Sequence, residues 1–123
     1  MQPVQITYHG IEPSDALTAL IHTRAAHLER ASERIQSLRV VVDAPHHHHR
    51  HGNHFCVRIE LSLPGGEIVV GHDAGERDTD EDAHRAVRRA FDAIRRRLTA
   101  TQARTRGKER AHAEERPTIR ATR

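Results

Sequence analysis

The chain has 123 residues, a single cysteine and no tryptophan, and 30% of its residues are charged. One cysteine excludes an internal disulfide and is typical of a reducing compartment, and no apolar run reaches the roughly 18–20 residues of a membrane span. We therefore expect a cytoplasmic protein with one folded domain and no membrane partner. Since aromatic residues make up only 2% of the chain, its core must consist mainly of Val, Ile, Leu and Ala.

The charge is distributed unevenly along the chain. Residues 1–78 carry seven arginines and ten acidic residues, a net charge of −3, whereas residues 79–123 carry thirteen basic and seven acidic residues, a net charge of +6. A basic region of this kind suits nucleic acid or an anionic membrane. Nucleic acid is favoured, because the apolar side of the last predicted helix is rich in alanine and suits packing on a sheet.

The first two predicted elements are a strand and a helix. Alternation of apolar and polar residues over 4–9 predicts a half-buried strand. Ser14 is the expected N-cap of a helix whose apolar spacing continues to about Arg34. Arg24 lies close to the centre of that apolar stripe. This position indicates either a side chain that reaches from the stripe's edge to solvent or a charge directed over the sheet toward a ligand.

Three further strands are predicted, over residues 38–44, 55–63 and 67–72. The last two are joined by Pro64-Gly65-Gly66, which is typical of a tight hairpin. The element order β-α-β-β-β-α then predicts an α+β fold. We expect a four-stranded, mostly antiparallel sheet with both helices packed on one face.

The last predicted helix, residues 82–110, is both amphipathic and strongly basic. Between residues 85 and 110 the net charge is +8, which fits either a solvated surface helix or a helix that binds a polyanion. Beyond residue 106 the apolar period is lost, so residues 1–106 are expected to form the domain and residues 107–123 a disordered polar tail. Six residues share one face at helical spacing and should be buried: Ala83, Val87, Ala90, Phe91, Ile94 and Leu98.

Six of the nine residues from 46 to 54 are histidine. Imidazole binds zinc, nickel and copper, but adjacent histidines on a loop offer little fixed geometry, so adventitious metal binding is favoured over a specific site. Contact of the loop with phosphates or bases is a third interpretation. We expect no specific metal site and no cofactor. Because no nucleophile, phosphate loop or carboxylate pair occurs at a recognisable spacing, we also expect no catalytic residues, no small-molecule substrate and no enzyme activity.

Several short motifs, in order, resemble a known family. They are Asp15-Ala16-Leu17 and then Arg24, His27, Leu28 and Glu29 in the first helix, Leu63-Pro64-Gly65-Gly66-Glu67 at the hairpin, and Ala86-Val87, Phe91-Asp92, Ile94, Arg96 and Leu98 in the last helix. Over about residues 4–106 the chain resembles the ribosome hibernation-promoting factor and ribosome-associated inhibitor family, formerly described as sigma-factor modulation proteins. It is similar to short, histidine-rich members.

The resemblance implies a fold like the double-stranded-RNA-binding domain and a non-catalytic role. Such proteins bind rRNA in the mRNA and tRNA channel of the small ribosomal subunit, where they silence translation and preserve idle ribosomes in stationary phase or stress. The partner would be the small ribosomal subunit and its rRNA, and the protein would be a monomer off the ribosome. The candidate RNA-binding residues are Arg24, His27, Arg85, Arg88, Arg89, Arg96, Arg97 and Arg104.

Two other functions remain open at this point. One is a metal-binding or metal-responsive protein that uses the histidine-rich loop, residues 46–54. The other is a non-specific DNA-binding regulator, which the same basic helix would serve.

Overall fold

A computed structural model describes the backbone of residues 1–43, 56–73 and 80–121, and the side chains of residues 1–43, 56–71 and 83–107. The histidine-rich loop therefore lies outside the described residues. The elements follow the expected β-α-β-β-β-α order: β1 (Gln5–His9), α1 (Asp15–Ala31), β2 (Ser37–Asp43), β3 (Cys56–Leu63), β4 (Gly66–Asp73) and α2 (Asp80–Ala121).

The four strands form one sheet in the order β1-β2-β3-β4. β1 pairs with β2 in parallel, whereas β2 with β3 and β3 with β4 are antiparallel. The one parallel pair follows from the connection, since α1 carries the chain from the end of β1 back to the start of β2. The prediction of an α+β fold with a mostly antiparallel sheet is confirmed.

One face of the sheet is buried and the other is open. Val57, Ile59 and Leu61 on β3 are fully buried, while Arg58 between them is exposed. β2 shows the same alternation, with Val40 buried and Arg39 exposed. Because both helices contribute buried residues to the same core cluster as these strands, both pack on one face of the sheet, as predicted.

The first helix begins where predicted and ends earlier. The Ser14 Oγ accepts a hydrogen bond of 3.2 Å from the Leu17 N–H, which caps the helix. The helix stops at Ala31, and the expected end at about Arg34 is wrong. Ser32 adopts an extended backbone, and its Oγ accepts the Arg34 N–H at 3.1 Å. This side chain satisfies a backbone donor that a continuing helix would have bonded internally.

A half-buried hydrogen-bond network joins β1 to the start of α1. The Tyr8 hydroxyl donates to the Ser14 carbonyl oxygen at 3.3 Å and shares a hydrogen bond of 2.6 Å with Thr18 Oγ1. The contact fixes the position of the helix relative to the sheet at the end opposite to Ser32.

The second helix buries the predicted stripe and is longer than expected. Val87, Ala90, Ile94 and Leu98 are fully buried, and Ala83 and Phe91 are at most 3% exposed, so the assignment of the core face is confirmed. The helix extends from Asp80 to Ala121, so its backbone includes residues 107–121. The division of the chain into a domain and a disordered tail stays a prediction. Neither described helix has an apolar stretch that could cross a bilayer.

Candidate nucleic-acid interface

The buried stripe of α2 fixes the rotation of the helix and so decides where its arginines point. Arg85, Arg89 and Arg96 lie on the side opposite Val87, and all three are exposed. We call these three residues the outer row. At a rise of about 1.5 Å per residue the outer row spans about 16 Å.

A shallow depression lies beside the outer row, toward the C-terminal half of α2. It has a volume of about 510 Å³ and is lined by Asp92, Arg95, Arg96, Thr99, Ala100 and Ala103. Because small side chains follow the arginines on this surface, a bulky backbone can approach the helix there closely. The arrangement suits contact with a polyanion's backbone better than enclosure of a small molecule.

The flank of α2 that faces α1 forms a narrow groove, which we call the interhelical groove. Its volume is only about 30 Å³, so it holds no metabolite-sized ligand. Two predicted site residues on α1 come together here with side chains of α2. The groove is lined by Arg24, His27, Leu28, Phe91, Asp92 and Arg95.

The interhelical groove contains an ion pair that joins the helices. Arg24 Nη1 lies 3.8 Å from Asp92 Oδ1, and the two side chains are 33% and 58% exposed. Arg24 is therefore a half-buried charge directed at α2, and not an arginine that extends only to solvent. Its contact with a ligand stays a prediction. At this distance and exposure the pair contributes little to stability, on the order of 0–1 kcal/mol.

Two charged residues of the interhelical groove, Asp92 and Arg95, are not among the predicted site residues. Asp92 was visible in the sequence as the one acid among the arginines of residues 85–106. Arg95 shares a helix side with the predicted Arg88, seven residues earlier. Neither signal shows which residue of α1 lies opposite.

Arg97 and Arg104, seven residues apart, lie on the same side of α2, and both are exposed. Arg97 Nη1 donates a hydrogen bond of 2.6 Å to the Val69 carbonyl oxygen. Since β4 is an outermost strand, Arg97 covers part of the sheet edge as well as carrying charge. Arg104 Nη2 lies 3.4 Å from Thr101 Oγ1 on the same helix.

The predicted site residues thus divide into three groups on α1 and α2. The outer row and Arg88 are exposed, and Arg24 and His27 line the interhelical groove. Arg97 and Arg104 share a third side of α2, on which Arg97 contacts β4. Their contact with RNA stays a prediction.

The rival metal site falls outside the described residues, since it rests on residues 46–54. Among the side chains that the structure describes, no three His, Cys, Asp or Glu residues are placed to hold a metal ion. Cys56, the first residue of β3, is half-buried.

A comparison with protein families decides which family this arrangement belongs to. Residues 4–106 match the family described as sigma 54 modulation protein / S30EA ribosomal protein. The chain belongs to this family. The match includes both helices' candidate site residues and the whole sheet, and it confirms the resemblance predicted from the motifs. No curated protein matches the chain significantly.

Solved structures of low sequence identity share the fold. A ribosomal subunit interface protein from Coxiella burnetii aligns with a TM-score of 0.65 and 16% identity, covering 81% of this chain and 97% of that one. The N-terminal domain of Protein Y from Thermus thermophilus aligns with a TM-score of 0.60 and 18% identity, covering 79% of this chain and 94% of that one. At these identities the likeness concerns the fold.

Proposed function

We propose that this protein is a non-catalytic, cytoplasmic factor that binds the small ribosomal subunit through its rRNA. Bound in the mRNA and tRNA channel, it silences translation and preserves idle ribosomes in stationary phase or under stress. It is a monomer off the ribosome. Family membership supports association with ribosomes, and the name of the Coxiella burnetii neighbour, a ribosomal subunit interface protein, agrees with it.

The observation that carries the proposal is the outer row on a helix whose rotation is fixed by its core. Arg85, Arg89 and Arg96 are held in line by a stripe that is almost completely buried. A fixed row of guanidinium groups presents a rigid positive surface to phosphates without further ordering of the helix. Guanidinium also matches phosphate oxygens in a bidentate manner.

The scarcity of aromatic side chains favours one mode of RNA recognition. Phe91 is buried in the core, and the described side chains of α1 and α2 include no exposed Phe, Tyr or Trp ring. Base stacking on aromatic platforms therefore contributes little here. Recognition of the shape and backbone of folded RNA fits this surface.

The direct test is co-sedimentation of the full chain with purified small subunits at low and high salt. We expect the wild-type protein to sediment with the subunits at low salt and to be released as salt increases. The double variant Arg89→Glu, Arg96→Glu should lose this binding, because it replaces two positive charges of the outer row with negative ones. Its unfolding midpoint should stay close to that of the wild type, since both side chains are exposed.

A matched control keeps the charge change and moves it away from α2. The double variant Arg30→Glu, Arg39→Glu changes exposed residues of α1 and of the open sheet face, and it should keep most of the binding. If both double variants lose subunit binding equally, the loss follows from the general change of charge, and the proposal is wrong. Competition with double-stranded DNA tests the rival function as a DNA-binding regulator, because such a protein would prefer DNA over subunits at the same salt.

A further inference from the structure

A second, separate cleft lies where α2 passes beyond the end of the sheet. Its volume is about 230 Å³, several times that of the interhelical groove. It is enclosed on three sides, by the segment that follows α1, by the β3–β4 turn and by α2. We call it the polar cleft; it is lined by Ser32, Arg34, Leu63, Pro64, Thr101, Gln102, Thr105 and Arg106.

The helical period of α2 continues into the polar cleft, but the residue type changes. From Leu98, the last fully buried residue of the stripe, the positions three, four and seven residues further on are Thr101, Gln102 and Thr105. These are the positions that would extend the buried stripe. All three are half-buried, so hydroxyl and amide groups occupy a face that carries only apolar groups one turn earlier.

Two arginines add charge to the polar cleft, and the hairpin adds an apolar surface. Arg34 and Arg106 are exposed guanidinium groups that come from different elements and line the same cleft. The hairpin turn supplies Leu63 and Pro64, and Gly65 allows this turn through its φ of 87°. No acidic side chain is among the residues that line the polar cleft.

Together these side chains favour a ligand that combines an anionic group, hydrogen-bonding groups and a flat ring. Guanidinium groups bind phosphate through charge-assisted hydrogen bonds. Hydroxyl and amide side chains can bond sugar hydroxyls and base edges, and the faces of Pro64 and Leu63 can contact a base. Inorganic phosphate alone would leave most of the volume and the apolar wall unused.

We propose that the polar cleft binds one nucleoside monophosphate unit, either as a free nucleotide or as a nucleotide within single-stranded RNA. Arg34 and Arg106 hold the phosphate, and Thr101, Gln102 and Thr105 contact the sugar or base. The inference does not depend on the proposed function, because the polar cleft shares no residue with the outer row or the interhelical groove.

The test is an NMR titration of the isotope-labelled full chain with AMP, inorganic phosphate and adenosine as separate probes. We expect AMP to shift the amide signals of Ser32, Thr101 and Thr105, and to bind more tightly than either inorganic phosphate or adenosine. The double variant Arg34→Gln, Arg106→Gln should weaken AMP binding at least about tenfold, since two charge-assisted contacts are lost.

Two further variants separate recognition from general charge and from misfolding. Arg39→Gln removes an exposed arginine from the open sheet face and should leave AMP binding unchanged. Thr105→Val keeps the side-chain shape and removes a hydroxyl, so it should weaken AMP without weakening inorganic phosphate. If Arg39→Gln weakens AMP as much as the double variant, or if AMP at millimolar concentration shifts no cleft signal, the proposal is wrong.

A short RNA and an acidic peptide complete the test. If a four-nucleotide single-stranded RNA shifts the same signals at a lower concentration than AMP, the ligand is a nucleotide within RNA. If AMP binds more tightly than the RNA, the ligand is a free nucleotide. Either result supports the nucleotide site. An acidic peptide that shifts these signals more strongly than both would make the polar cleft a peptide site and overturn the proposal. The double variant Arg34→Gln, Arg106→Gln should still bind the small subunit. A failure of the nucleotide site can therefore be distinguished from a failure of the proposed function.

Discussion

Arg24 on α1 and Asp92 on α2 face each other across the interhelical groove, with 3.8 Å between Arg24 Nη1 and Asp92 Oδ1. Asp92 is the one acidic side chain among the arginines between residues 85 and 106. The pair therefore lowers the positive charge of the surface that is proposed to bind RNA, while its exposure limits what it adds to stability.

Substitution of Asp92 by asparagine should strengthen binding to RNA. Asp92→Asn removes the negative charge and leaves Arg24 available to a phosphate, so the slope of log affinity against log salt should become steeper by up to about 0.7–0.9. The free energy of unfolding should change by less than about 1 kcal/mol. Fluorescence anisotropy with a labelled rRNA fragment at several salt concentrations measures the first effect, and urea denaturation measures the second.

The control for this variant is Glu29→Gln, which removes a negative charge from an exposed position of α1 outside the interhelical groove. If Glu29→Gln tightens binding as much as Asp92→Asn, the effect belongs to net charge and not to Arg24.

The histidine of the interhelical groove offers a second test. His27 is exposed and lines the groove beside Arg24. A lysine there carries a fixed positive charge on a flexible stem that can reach a phosphate. His27→Lys should therefore raise the affinity for rRNA at neutral pH. Anisotropy titrations at neutral pH measure this affinity, and His22→Lys, an exposed change elsewhere on α1, should not raise it.

The contact between Arg97 and the Val69 carbonyl oxygen predicts a structural effect. Arg97→Gln shortens the side chain and removes the charged donor at the outermost strand, so the free energy of unfolding should fall by about 0.5–1.5 kcal/mol. Exposure of backbone at β4 should also increase self-association at high protein concentration. Urea denaturation and analytical ultracentrifugation measure these effects.

Arg96→Gln is the matched control, because Arg96 belongs to the outer row and points away from the sheet. It should weaken RNA binding while leaving stability and association unchanged. Equal destabilisation by the two variants would show that the Arg97 contact with β4 has no specific role.

The hydroxyl of Tyr8 should matter for stability and not for binding. Tyr8→Phe removes the hydrogen bonds to Ser14 and Thr18, so the protein should lose about 1 kcal/mol of unfolding free energy. Thr18→Val should have a similar cost, and the double variant should cost less than the sum, because the two side chains share a hydrogen bond. Additive costs in urea denaturation, or a loss of small-subunit binding in Tyr8→Phe, would contradict this role.

Several features of the fold were predictable because each rests on a local pattern. The alternation along β3 identifies Val57, Ile59 and Leu61 as inward-facing, and the period of α2 identifies its buried stripe. The predicted end of α1, at about Arg34, lies beyond its observed end at Ala31. Ile35 keeps the apolar spacing of the helix, and it is buried, but it packs from the segment that follows the helix. Burial alone does not distinguish a helical position from a neighbouring connection.

The sequence by itself determined the element order, the inward faces, the basic character of α2 and the family, since periodicity, turn residues and charge are properties of short segments. Only the tertiary structure decided which charges meet. Arg24 and Asp92 belong to different helices, Arg97 reaches a strand, and Arg34 and Arg106 line one cleft. Each contact depends on how the helices lie on the sheet. That arrangement is set by packing of the whole core, and no local pattern encodes it.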